Sequence, residues 1–229
     1  MIINLIRHST TAANELGILS GARIDLPLSP QGIRIIEDLI AQDIYPEEPG
    51  VIYASELKRA VETIKLIYPD REVITRAILN ERDFGDLEYL SAEESKEALN
   101  STFVYNPETG QMEEDADYVP PNGESIRQLN VRARKTFIEL YDEFREKGYE
   151  LVTICGHGSL FRSFAYEYDL PVLLGLRMDK FLGNGKGFTM EVEKKGDDLD
   201  IKVIGYIGGD KAEDVLINYA THYNKDDEK

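Results

Sequence analysis

The chain opens on Met1-Ile2-Ile3-Asn4-Leu5-Ile6 and passes without a spacer into Arg7-His8-Ser9-Thr10-Thr11 and on to Asn14. An apolar, β-branched run of this kind reads as a buried strand in the middle of a sheet. The residues that follow it cannot be core. Arg7, His8, Thr11 and Asn14 set a fixed cation, an imidazole, a hydroxyl and an amide at the carboxyl end of that strand, which in open α/β sheets is where ligands bind. A guanidinium fork matches phosphate oxygens in pairs, and an imidazole can take a phosphoryl group covalently, so the cluster suits phosphate chemistry. An Arg-His pair alone would serve equally well in an ordinary loop, and the weight falls on three later stretches.

A chain of 229 residues, 42% of them hydrophobic, suffices for one large α/β domain and is short for two. Its 43 acidic and 26 basic residues give a net charge of -17, which disfavours nucleic acid or an anionic membrane as partner. A phosphate site in such a chain must concentrate its cations locally. Cys155 is the one cysteine, so no intramolecular disulfide forms and a reducing compartment fits. The opening run has no basic n-region and is too short to span a membrane, so neither signal peptide nor transmembrane segment is expected and the cytoplasm is the default.

Along the chain, Ser29 and Pro30 start a helix that runs to about residue 42, with Ile33, Ile36, Leu39 and Ile40 as its apolar face. Residues 51–54 follow as a second strand, and the β-α-β order implies a right-handed crossover onto a parallel sheet. Ser55 then reads as the N-cap of a helix whose first turn carries Arg59. There Arg59 either joins the helix's positive end as an anion site or pairs on the surface with Glu56 or Glu62. Residues 73–75 make a third strand, and Glu81 follows in a non-periodic segment, where a carboxylate is ordinarily solvated.

Residues 91–122 read as an insertion or lid: a short helix near 92–99 and then irregular chain. It carries Glu93, Glu94, Glu97, Glu108, Glu113, Glu114, Asp115 and Asp117 against Lys96 as its one cation, a balance that disfavours a multiply anionic substrate. Phe103, Tyr105 and Tyr118 either line an aromatic pocket or pack the loop on itself. Ser125 caps a long helix to about residue 147, and residues 150–155 form a buried strand. That strand delivers Gly156-His157-Gly158 at a strand-to-helix junction, where glycines admit close approach of a ligand and the helix presents free N–H groups. Strands at 187–193 and 200–205 and a helix at 211–223 complete the chain, with Asn184-Gly185 closing the site and His222 inert.

On these stretches the chain is identified as a member of the histidine phosphatase superfamily, in the branch that includes cofactor-dependent phosphoglycerate mutases and small phosphomonoesterases. Arg7-His8 stands where the family has Arg-His-Gly, with Ser9 in place of the glycine. Ser55, Arg59, Ala60 and Thr63 match a second motif, Leu79-Asn80-Glu81-Arg82 the proton-donor loop, and His157-Gly158 with Arg162 a further one. The resemblance implies a metal-independent and cofactor-independent phosphomonoesterase, a phosphoric monoester hydrolase of the histidine acid phosphatase type. In it His8 is the nucleophile, Arg7, Arg59 and His157 the phosphate clamp, and Glu81 the acid, with Glu88 in reserve. Thr11, Asn14 and Gly158 add substrate contacts, while Arg162 and Cys155 are structural. The fold expected is a single three-layer α/β/α domain over residues 1–229 with a mostly parallel mixed sheet. The partner is a small-molecule phosphomonoester, with a homodimer left open. A mutase-type phosphotransferase and an inactive phosphate-recognition protein are the alternatives. The first is disfavoured because the insertion lacks the adjacent arginines that hold a substrate carboxylate in mutases.

Overall fold

The structure, a computed structural model, describes residues 1–106, 111–170 and 182–208. In chain order the elements are β1 (Ile2–Arg7), α1 (Ala12–Leu16), α2 (Pro30–Ala41), β2 (Val51–Ala54), α3 (Lys58–Ile67), β3 (Val73–Thr75), α4 (Ala92–Asn100), β4 (Phe103–Asn106), β5 (Gln111–Glu114), α5 (Ile126–Glu146), β6 (Leu151–Gly156), α6 (Gly158–Glu167), β7 (Gly187–Lys195) and β8 (Asp198–Ile207). Two 3₁₀ turns, Ala77–Leu79 and Gly85–Tyr89, flank Glu81. Six strands make a mixed sheet in the order β3-β2-β6-β1-β7-β8. β1, β2, β3 and β6 run parallel, and β7 and β8 are antiparallel additions at one edge.

The alternation along the central strands explains the layers. Ile3, Leu5, Tyr53, Val152 and Ile154 point to one face and pack with Leu129, Phe137, Leu140 and Phe144 of α5 and Leu160, Phe161 and Phe164 of α6. Ile6, Ile52, Ala54 and Cys155 point to the other, against Ala60 and Ile64 of α3. Both faces are therefore covered, as near-continuous apolar strands require. Asn4, the polar residue in the opening run, is satisfied inside the sheet: it donates to Thr153 Oγ1 at 3.1 Å and accepts from Thr189 Oγ1 at 2.8 Å.

Several expectations need correction. Ser55 does not cap α3, whose N-cap is Leu57 without a side-chain bond. Ile33 and Ile40 lie exposed while Ile36 and Leu39 are buried, because α2 meets its neighbours along a narrower stripe. Irregular chain after α4 is instead a hairpin, β4 paired to β5 from Phe103↔Glu114 to Asn106↔Gln111, on which Phe103 and Tyr105 are exposed. A short helix that periodicity did not announce, α1, follows the first strand. Arg162 is exposed on α6. Both the helix expected at 211–223 and His222 lie outside the described residues.

Candidate active site

Parallel register brings the chemistry together. β1 and β6 end in step at Arg7↔Gly156, β2 and β6 at Ala54↔Cys155, and the next residues of these strands are His8, His157 and Ser55. The ladder continues by one bond on each side, His8 N–H to Gly156 O at 2.9 Å and Ser55 N–H to Cys155 O at 3.0 Å. His8 and His157 consequently lie with ring centroids 5.0 Å apart, both buried.

His8 has a defined proton. Its Nδ1 is 2.5 Å from the Ser9 carbonyl oxygen, which can only accept, so Nδ1 carries the hydrogen and Nε2 keeps a free lone pair. Burial, reinforced by Arg59 and Arg7, holds its pKa well below the usual histidine value. The ring is therefore neutral near pH 7, the form in which Nε2 is nucleophilic. His157 is held down in the same way by burial, then by His8, Arg59, Arg7 and Arg132. Its Nε2 lies 2.7 Å from Ser55 Oγ, and its Nδ1 is enclosed with no hydrogen-bond partner.

Arg7 donates from Nη1 to Leu182 O at 2.8 Å, and its Nε is enclosed and unpartnered. Gly158 explains its own identity here. A Cβ at that position would sit 3.3 Å from Arg7 Nε and 3.4 Å from Cζ, so the guanidinium lies directly against the backbone at the start of α6. Gly158 is also the first residue of that helix, where N–H groups lack helical partners. Arg59 is buried and donates to Gly21 O at 2.8 Å and Ile24 O at 3.0 Å, so it holds the 21–24 loop as well as charging the site. Burial lowers its pKa, opposed first by Glu81.

Glu81 is drawn into the same space. Its Oε1 accepts from Leu160 N–H at 3.2 Å and Arg82 N–H at 2.9 Å, and its Oε2 from Ser159 N–H at 3.1 Å, which docks the carboxylate on the N-terminus of α6. Glu88, the reserve acid, is fully engaged elsewhere. It accepts from the N–H groups of Gly21, Arg23, Ile24 and Phe84 at 2.9 to 3.2 Å, so it is a loop anchor. Thr11, buried, and Asn14, exposed, bind each other: they form the capping box of α1, leaving Asn14 Nδ2 as the donor still open.

Ser9 fits without strain. It is absent from the positive-φ positions, its N–H donates to Thr63 Oγ1 at 2.9 Å, and its hydroxyl donates to Gly32 O at 2.7 Å. A Cβ at Gly32 would come within 2.0 Å of Thr10 O, so α2 abuts this loop backbone to backbone. Asn184 donates to Thr10 Oγ1 at 2.8 Å, and Gly185 N–H to Arg7 O at 3.0 Å, closing the loop from the β7 side.

Arg132 escaped the sequence reading. From α5 it donates to Asn80 O and Glu81 O, each at 3.1 Å, and pairs with Glu124 at 2.6 Å, so it fixes the backbone that carries Glu81. Its only signal in sequence is a helix cation seven residues after Ser125, which is also how a solvated arginine looks. Among the described residues no group of three or more His, Cys, Asp or Glu is placed to hold a metal ion, and no helix is long and apolar enough to cross a membrane.

The family model described as histidine phosphatase superfamily (branch 1) matches residues 3–180. Fructose-2,6-bisphosphatase TIGAR B of Danio rerio is 29% identical over 190 residues, 77% of this chain and 64% of that protein, so this chain spans less than two thirds of its length. A 2,3-bisphosphoglycerate-dependent phosphoglycerate mutase of Rhizobium etli is 32% identical over 72% of this chain and 78% of its own. Among solved structures, the α-ribazole phosphatase of Shigella flexneri shares the fold with a TM-score of 0.62 at 23% identity, covering 89% of this chain and 96% of that one.

Proposed function

The chain belongs to the histidine phosphatase superfamily, branch 1, and from that premise we propose that it hydrolyses small-molecule phosphomonoesters through a phosphohistidine on His8, without a metal or cofactor. Within the phosphoric monoester hydrolases the reading is of the histidine acid phosphatase type. The observation that carries it is the state of His8: proton pinned on Nδ1, Nε2 open, and the buried Arg59, the partly buried Arg7 and a second imidazole around it.

In the first half-reaction Nε2 attacks phosphorus in line and the bond to the leaving oxygen breaks. Arg7, Arg59, His157 and the Gly158 N–H hold the nonbridging oxygens as charge develops. Glu81 gives its proton to the departing alkoxide, then takes one from the water that attacks the phosphohistidine. The Ser9 carbonyl stabilises the Nδ1–H as the ring becomes positive. Asn14 Nδ2 is the rim donor offered to the phosphoryl group, while Thr11 serves by holding Asn14.

Hydrolysis is preferred to mutase transfer because the cations near the insertion are engaged. Arg82 is buried and pairs with Glu114 at 2.9 Å, and Arg127 pairs with Asp117, which leaves Lys96 as the insertion's own cation. An inactive recognition role is disfavoured because the Ser9 hydroxyl is absorbed by Gly32 without displacing His8.

Rapid quenching with labelled substrate should trap an acid-labile, alkali-stable phosphoryl adduct on the peptide holding His8. Chelator-treated protein should still release nitrophenol from nitrophenyl phosphate, and His8→Ala should lose roughly 10⁴-fold or more in turnover. Wild-type turnover in that variant would end the covalent reading.

A further inference from the structure

Asn80 precedes Glu81 and takes no part in the phosphate clamp, yet its side-chain oxygen accepts two hydrogens. One comes from Glu56 N–H at 3.1 Å and the other from the Ser55 hydroxyl at 2.8 Å. The backbone donor fixes the amide, since the flipped orientation would turn Nδ2 against an N–H. Ser55 has a single hydrogen and gives it to Asn80. Its oxygen is then an acceptor, from Leu57 N–H at 3.1 Å and from His157 Nε2 at 2.7 Å. His157 must therefore donate in that last bond, so its proton sits on Nε2 and Nδ1 is bare. That Nδ1 is the enclosed, unpartnered nitrogen beside His8, and a buried polar atom left open in a native site calls for a ligand.

We propose that Asn80 is a positioning residue which, through Ser55, keeps the His157 proton on Nε2, so that Nδ1 gains a proton only with an arriving phosphoryl dianion and donates it to a nonbridging oxygen. The proposal rests on the phosphatase reading of the site. Around the neutral ring stand His8 and Arg7 from the end of β1, Arg59 from α3 and Arg132 from α5, none of which favours a positive charge on it. A dianion held by the arginines reverses that field, and the ring takes one proton from solvent; no other bond is made or broken. Ser55 Oγ and Asn80 Oδ1 remain acceptors throughout, so the imidazolium keeps its Nε2–H bond. In the opposite order, with Ser55 donating to Nε2, a neutral ring would already carry hydrogen on Nδ1 and would meet the anion with no proton taken up.

Counting protons separates the two orders. Tungstate, a dianion that does not titrate near neutrality, is bound to wild-type protein, Asn80→Ala and Asn80→Asp at pH 7.5, with calorimetry in buffers of differing ionisation enthalpy. Wild type and Asn80→Asp, which keeps both acceptor bonds, should take up about one proton per tungstate, and Asn80→Ala should lose most of that uptake. In ¹⁵N-histidine-labelled protein, with only three histidines to assign, free His157 should be protonated at Nε2 alone and gain its second proton at Nδ1 on binding. These spectra on wild type and Asn80→Asp decide the matter even if the alanine variant does not fold. Tungstate binding without proton uptake, or uptake that lands on His8, overturns this proposal and spares the phosphatase reading. No tungstate binding at all overturns both.

Discussion

The strand ends and the insertion are built in opposite ways. At the strand ends, Ser55, Arg59 and His157 are essentially inaccessible: the parallel ladder places Ser55 and His157, and loop carbonyls orient Arg59 of α3. In the insertion, Val104, Tyr105 and Met112 are about half to two-thirds exposed, at 49%, 63% and 57%, on a two-stranded hairpin of a kind that is marginal by itself. Its polar ties to the rest include Arg82 to Glu114, Arg127 N–H to Ala116 O, the Asp117–Arg127 pair, Asp86 N–H to Pro121 O and Asn122 to Asp86. The first region holds charge in a rigid, water-poor frame, which is what stabilising a transferring phosphoryl group needs. The second presents an exposed, acidic surface. Glu81 and Arg82 are the seam, one carboxylate docked on α6 and the next side chain reaching into the hairpin.

If that division holds, damage at the strand ends strikes chemistry, whereas damage in the insertion is small and depends on the leaving group. The largest effect in this set is expected at the seam. Glu81→Gln should slow enzyme phosphorylation by roughly 10²- to 10⁴-fold with alkyl phosphates but only mildly with nitrophenyl phosphate, whose phenolate leaves without a proton. With the aryl substrate a burst of nitrophenol should precede slow turnover as phosphoenzyme accumulates. Equal losses on both substrates would remove Glu81 as proton donor.

Arg59→Ala comes next. Turnover should fall roughly 10²- to 10³-fold for every leaving group. The melting point should drop too, because the Gly21 and Ile24 carbonyls lose their donor and each such loss costs about 1–3 kcal/mol. A lowered melting point with intact turnover would make Arg59 a loop clasp and nothing more.

The insertion should answer more weakly. Glu114→Gln leaves Arg82 an acceptor but removes the ion pair, and amides of the hairpin should then exchange faster by about tenfold or less. Turnover of nitrophenyl phosphate should stay within about twofold, since Glu114 bonds Arg82 and none of the residues of the phosphate clamp. A large loss on that substrate would break the comparison, because the hairpin would then be part of the chemistry.

The smallest effect is on stability against pH. His157 has a folded pKa well below 6.5, so above that pH both folded and unfolded states hold it neutral. As pH falls below 6.5 the unfolded chain binds the proton first, and stability is lost progressively toward the folded pKa. His157→Asn should therefore show a shallower fall in melting point between pH 7.5 and pH 5.5 than wild type, measured by calorimetry. An equal or steeper fall would show that His157 is not held neutral.

Much of this was legible in the chain because it rests on local chemistry. The run to Ile6 could only be a buried strand, Ser29-Pro30 and Ser125 start helices through their own side chains, and glycines around a histidine announce a close approach at a strand end. Motif residues named His8, Arg7, Arg59, Glu81, His157 and Gly158 together, and the fold brings all six to one place. What only the tertiary structure decided is where hydrogen-bonding capacity goes, since that depends on atoms far apart in sequence. Ser55 looked like a helix cap and instead orients His157, 102 residues away. Glu88 looked like a spare acid but is engaged by three distant N–H groups and that of Phe84, and Thr11 and Asn14 are turned on each other. Arg132 shows nothing locally, because its partners are carbonyls of a loop about 50 residues earlier. Patterning along a sequence reports burial and propensity, whereas the proton order of two neighbouring histidines is set by which donor meets which acceptor once the strands are in register.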